Sequence, residues 1–153
     1  MSEAHWLDAD QQRDWRAFID GSLRLMDALE RPLKSRHGLT MADYEILVRL
    51  SESPDHRMRM AELADSASQS RSRLSHTVAR LEARGLVARA DCPSDKRGVL
   101  ASLTEQGYEA LQTAAPDHVA AVREYLVDLV KPEDLQAIGR VFRAVAQRID
   151  AAD

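Results

Sequence analysis

Between Ser70 and Arg84 the chain sets Arg71, Ser72, Arg73, His76, Thr77 and Arg80 around Leu74, Val78 and Leu81, with no acid before Glu82. On a helix the three aliphatic residues fall on one face and the polar ones are expected on the other. Such a helix fits the major groove of DNA, where an arginine can donate two bonds to guanine O6 and N7. Hydroxyls and the free amides of a first helical turn suit phosphates or base edges. Ser70 opens this helix and is expected among the DNA-binding residues. Arg71, Ser72, Arg73 and His76 are expected to reach the groove, with Thr77 and Arg80 nearer the DNA backbone. The competing reading is a solvated basic helix with no nucleic acid.

The second group is Asp95-Lys96-Arg97-Gly98, expected at the tip of a hairpin. An arginine there can enter a narrow minor groove, where the potential is most negative, with Lys96 beside it. Asp95 would repel phosphate if it faced the duplex. It is expected instead to accept bonds from loop N–H groups or a nearby arginine and so fix the shape of the loop. Gly98 is expected to supply the unusual dihedral for re-entry into the strand. Alone, a charged hairpin is only a soluble hairpin; beside this helix it becomes a DNA contact.

These groups need elements to hold them. Six glycines and five prolines fall mostly between periodic stretches, so the chain reads as largely helical. A first helix runs from about residue 10 to 36, with Trp15, Phe18, Ile19, Met26, Leu29 and Leu33 on its apolar stripe. Pro32 is expected to bend or fray it, and Gly38 to stop it. Thr40 and Asp43 form an acidic capping box for the next helix, which Ser53-Pro54-Asp55 ends. A short helix around Leu63 and Ala64 follows, then a serine-rich turn, then the basic helix, closed by Gly85 in the left-handed conformation. Two strands are expected at residues 86–90 and 99–103, joined by a turn-rich loop. A long helix begins at Thr104-Glu105 and is expected to kink before Pro116. The last begins at Lys131-Pro132-Glu133-Asp134, where proline and acids are favourable.

Two short helices, a tight turn and a hairpin make a winged helix-turn-helix. The expected fold is mainly α with a small two- or three-stranded β-wing, one domain over residues 1–153. Within it, about 39–103 form the DNA-binding lobe, and about 10–36 and 104–150 form dimerisation helices. A symmetric dimer is expected to hide Trp15, Ile19, Phe142 and Val145.

Charge agrees with this division. The net charge is −4, yet Arg57 to Arg97 holds nine basic residues against five acidic. A basic middle between acidic ends suggests an anionic partner held by one sub-region, and a solvated charged face is the competing reading. At 44% apolar and 30% charged residues the chain can build a core and is not a disordered polyelectrolyte. No stretch has the apolar run of a membrane span or a secretory signal, so a soluble cytoplasmic protein with no membrane partner is expected.

The run RMAELADSASQSRSRLSHTVARLEARGLVARADCPSDKRGVLASLTEQG resembles the MarR family of bacterial transcriptional regulators. The likeness is densest from LEARGLV through DKRG to LASLT, where an aspartate-x-arginine wing precedes a leucine-threonine helix start. DYEILVRLSESP resembles the family's second helix, so the likeness covers roughly residues 39–111. It implies a homodimer on a pseudo-palindromic operator in double-stranded DNA, usually a repressor. It also implies that the helix over residues 70–84 reads the major groove and that Arg97 enters the minor groove. A small phenolic or aromatic effector in a cleft between dimerisation helices and DNA-binding lobe is implied too, with no pocket residue identified. No cofactor is implied.

Other chemistries have weaker footing. Cys92 invites a redox-switch reading, but it lies between Asp91 and Pro93 with Asp95 close, and negative charge disfavours the thiolate that oxidation needs. The five histidines, His5, His37, His56, His76 and His118, lack the spacing of a metal helix, although folding could bring His37 near His118. No phosphate loop, nucleophile elbow or paired-histidine motif supports an enzyme. A winged helix used for protein–protein contact stays open, with salt dependence as the discriminator.

Overall fold

Asp8 accepts a bond from the Gln11 amide while the Gln11 side chain accepts from the Asp8 amide, and this reciprocal cap starts the first helix, α1 (Ala9–His37). The structure, a computed structural model, describes residues 4–152, and Lys96 by its backbone only. Pro32 does not end α1, which continues to His37 and closes on Gly38 at φ 63°. Thr40 and Asp43 form the expected box at the start of α2 (Met41–Glu52).

A single 3-10 turn, Pro54–His56, leads into β1 (Arg57–Arg59), a strand the sequence pattern had not revealed. Then come α3 (Met60–Ser66), α4 (Arg71–Ala83), β2 (Val87–Cys92), β3 (Asp95–Leu103) and α5 (Glu105–Val122). The sheet is antiparallel in the order β1-β3-β2. The hairpin is longer than the sequence suggested, with Pro93 and Ser94 alone between its strands. Cys92 pairs with Asp95 but Asp91 pairs with Val99, leaving Lys96, Arg97 and Gly98 as a bulge on β3. Arg97 therefore sits in a bulged strand and not at the hairpin tip. A bulge re-aims side chains, as a loop tip would, but from a firmer base.

The core lies within residues 1–118, one of two compact units. Leu33 and Leu39 meet Ile46, Leu47 and Leu50 of α2, Leu63 of α3, Leu74, Val78 and Leu81 of α4, and Val87 and Ala101 of the hairpin. Each of the leucine, isoleucine and valine side chains contributes about 1.5–3 kcal/mol by leaving water. Gly85, at φ 73°, turns the chain from α4 into β2, and the Leu86 amide bonds back to the Leu81 carbonyl. Gly107 is needed for a different reason: a Cβ there would lie 2.0 Å from the Leu86 carbonyl oxygen.

The second unit is residues 119–153. The helix α5 runs through Pro116 to Val122, and the departure from α geometry comes later than expected, as a π turn at Arg123–Val127. Lys131 and Pro132 open α6 (Pro132–Asp150), in which no residue is buried and Val141, Phe142, Val145 and Ile149 stay exposed.

Candidate nucleic-acid interface

The serine at position 70 is the N-cap of α4: its hydroxyl accepts a bond from the Arg73 amide at 3.2 Å. The helix it starts is held by Leu74, Val78 and Leu81, all fully buried. Arg71, Ser72, Arg73 and His76 are exposed, as the pattern predicted. They are not one cluster. Arg71 lies on one flank of α4, in a cleft of about 450 Å³ shared with Ser75, Arg59, Arg89, Asp95 and Arg97. Ser72, Arg73 and His76 lie on the other flank, in a cleft of about 590 Å³ reaching Thr40 and Arg80.

Two of the expected contacts are placed differently. Thr77 is 4% exposed, and its hydroxyl donates to the Arg73 carbonyl at 3.1 Å, so it belongs to the inner face and not the outer one. Its position explains this, since 74, 77, 78 and 81 follow one helical stripe. Arg80 is half exposed, but its Nε and Nη2 donate to Asp43 Oδ1 at 3.2 and 2.6 Å. Asp43 is buried and also serves the α2 cap through Oδ2. The sequence had identified the cap but not this second bond.

At the wing, Asp95 does what its type suggested. Oδ1 accepts the Arg97 amide at 3.0 Å, and Oδ2 accepts from Arg59 at 3.3 Å. Gly98 does not have a positive φ, contrary to expectation. It provides room: an added Cβ would stand 3.2 Å from the Cys92 Cβ and 3.3 Å from Arg59 Nη1. The expectation for Lys96 concerns a side chain outside the described residues. Arg89 of β2 lines the same cleft but is neutralised by Glu82 of α4, through three bonds from its main-chain amide, Nε and Nη2 at 3.2, 3.1 and 2.7 Å. These bonds hold the Glu82 carboxyl below the usual range and fasten the hairpin to α4.

Cys92 reverses an expectation. It is buried, and its thiol pKa lies below the usual value, first because of the Ser94 hydroxyl 3.3 Å away and also because of Arg59. The hydroxyl and the arginine outweigh burial, which pushes the thiol the other way. His37 pairs with the neighbour of His118: His37 Nε2 lies 2.8 Å from Asp117 Oδ2, and Arg36 donates to Oδ1 at 2.9 Å. Among the described residues no group of three metal-ligating side chains converges.

The chain is similar to a family with solved members. Residues 37–98 match the family model described as "MarR family". The MarR family regulator Sco3205 of Streptomyces coelicolor, solved in complex with DNA, is 48% identical, with a TM-score of 0.92 over 96% of this chain and 92% of that one. The chain belongs to the MarR family of transcriptional regulators. AbsC, another MarR family regulator of Streptomyces coelicolor, is 44% identical, with a TM-score of 0.92 over 97% of this chain and 99% of its own. The HTH-type transcriptional repressor YetL of Bacillus subtilis is 26% identical over 92% of this chain and 85% of that protein. Winged-helix architecture and a regulatory, non-enzymatic role follow for this MarR protein. Among the described residues no helix is long and apolar enough to cross a membrane.

Proposed function

We propose that this MarR protein is a homodimer that reads a pseudo-palindromic operator in double-stranded DNA and represses transcription until a small effector binds. The observation that carries the reading is the cleft where Arg71 of α4 and Arg97 of the wing meet, basic side chains from two elements on one face. Arg71 on one flank, and Ser72, Arg73 and His76 on the other, read the major groove. Ser70 acts through its cap, which orders the first turn. Arg97, with Lys96, takes the minor groove.

The dimer is supported by apolar surface with nothing over it. On α1, Trp15, Leu23 and Met26 are 52%, 68% and 50% exposed, and α6 exposes Val141, Val145 and Ile149. Such stripes on a monomer would invite aggregation, and a second copy covers them symmetrically. Repression follows the repressor YetL. Release requires an effector with different affinities for the DNA-competent and incompetent arrangements, and the family resemblance points to a phenolic or aromatic acid.

Selection of genomic fragments by the purified protein at near-physiological salt tests this reading. Recovery of an inverted repeat supports a dimeric sequence reader. Recovery of unrelated fragments, with binding that falls steeply with salt, would reduce the protein to a non-specific DNA binder.

A further inference from the structure

Arg59 ends β1 and leads directly into α3, and nothing in the DNA-reading scheme above uses it. Its guanidinium spans to the hairpin turn: Nη1 donates to Asp95 Oδ2 at 3.3 Å and Nη2 to Ser94 Oγ at 3.2 Å. Both partners make a second contact as well. Asp95 Oδ1 accepts the Arg97 amide at 3.0 Å, and Ser94 Oγ lies 3.3 Å from Cys92 Sγ. The missing side chain of Gly98 leaves the space in which Nη1 sits. One cation thus holds two successive residues where the turn enters β3 and, through Asp95, the main chain of the bulge.

A competition is resolved here. Asp95 is two residues from Arg97, and a carboxylate so placed is a ready partner for that guanidinium. With Oδ2 taken by Arg59 and Oδ1 by a main-chain amide, the Arg97 guanidinium has no hydrogen bond or ion pair among the described residues. We infer that Arg59 is the positioning residue of the wing: it fastens the hairpin turn to the helix-turn-helix and occupies Asp95, leaving Arg97 free to meet DNA. The inference rests on the proposed role of Arg97. Side-chain exposures of 38% for Arg59 and 46% for Asp95 mean that the pair adds little to global stability, so variants fold. The effect belongs to the wing.

The alternative role for Arg59 is a direct phosphate contact, since it lines the same cleft as Arg71. Four proteins separate the two roles, measured on the operator recovered by selection: Arg59→Lys, Arg59→Gln, Arg97→Ala and the Arg59→Gln/Arg97→Ala double variant. Lysine keeps the charge but cannot bridge Asp95 and Ser94 as a fork does. The expected results are a loss of about tenfold in affinity for both single Arg59 variants, and no further loss when Arg59→Gln is added to Arg97→Ala. In the DNA-free protein, NMR should show faster amide exchange at Arg97 in both Arg59 variants, because its bond to Asp95 loosens. Wild-type affinity in Arg59→Lys, or losses that multiply in the double variant, would assign Arg59 to phosphate and overturn the positioning role. Unchanged exchange at Arg97 would overturn it too. If Arg97→Ala binds like the wild type, the wing reading itself fails and the positioning role for DNA falls with it; the exchange data then still report whether the clamp orders the bulge.

Discussion

Arg80 of α4 donates twice to a single oxygen of Asp43, which is 1% exposed at the first turn of α2. The other oxygen accepts the Thr40 amide at 3.0 Å, so one buried carboxylate both caps α2 and ties α4 to it. The helix that presents Arg71, Ser72, Arg73 and His76 is thereby indexed to α2 by charge as well as by packing.

Asp43→Ala is therefore expected to lower stability by about 2–3 kcal/mol, combining a lost cap with a broken, half-exposed ion pair. Urea denaturation measures it. Arg80→Ala should cost less, because Asp43 keeps its capping bonds. If Arg80→Ala proves the more damaging to folding, the carboxylate depends on its cation more than on its cap.

Thr77→Val should leave operator affinity within about twofold of wild type, since the hydroxyl faces the Arg73 carbonyl and not solvent. Valine keeps the shape, and one intrahelical side-chain bond is worth about 0.5–1.5 kcal/mol at most. A large loss of affinity with an unchanged melting temperature would return Thr77 to the DNA contacts.

Thr77 also shows what the sequence could and could not tell. Helix starts were legible because caps are local: Thr40 with Asp43, Ser70, and Lys131-Pro132 lie where the structure has them. The basic face of α4 was legible from period and type together. Where the two disagreed, as at Thr77, type was followed and period was right. The strand β1 was hidden because Arg57–Arg59 is three residues long, too short for alternation to stand out, and it exists through pairing with Ala101 and its neighbours on β3. The Arg59–Asp95 and Arg80–Asp43 pairs join residues far apart in sequence, which spacing rules do not address.

The division of α4 into two flanks predicts separable defects. Arg71→Ala should cost about 1–3 kcal/mol on the selected operator if Arg71 donates to a base in bidentate fashion, and should relax preference at one position of each half-site. A binding series against single-base operator variants measures this. An equal loss on every sequence would make Arg71 a phosphate contact.

Gly107→Ala should be among the most destabilising single changes available, costing about 3 kcal/mol or more, because its Cβ would collide with the Leu86 carbonyl oxygen at 2.0 Å. The same stretch holds the Thr104 hydroxyl, which donates to the Gly85 carbonyl at 2.6 Å and accepts the Gly107 amide at 3.0 Å, so the collision cannot be relieved cheaply. Gly21→Ala is the control. Nothing lies within 4 Å of a Cβ there, and alanine in a helix should raise stability by about 0.5–1 kcal/mol.

His118 sets the last expectation, a dependence on pH. Its ring lies 4.4 Å from that of Tyr44, and its buried Nδ1 has no hydrogen-bond partner among the described residues. Burial holds the imidazole pKa below its ordinary value, and the negative charge of Glu45 on α2 offsets this only in part. The unfolded chain therefore takes up a proton at a pH where the folded chain does not, and proton uptake by the unfolded state draws the equilibrium toward it. Stability should fall as pH drops through about 6.5, the unfolded value, and keep falling until the lower folded value is reached. The neighbouring Asp117 acts in another window. Its carboxyl is held below the usual range, first by His37 and then by Arg36, so its contribution persists above that range and is lost only at more acid pH. Urea unfolding of wild type and His118→Phe at about pH 7.5 and about pH 5.5 isolates the histidine, because phenylalanine keeps a ring against Tyr44 and does not titrate. The wild type should lose more stability across that interval than the variant; equal losses would mean that His118 carries the same proton in both states.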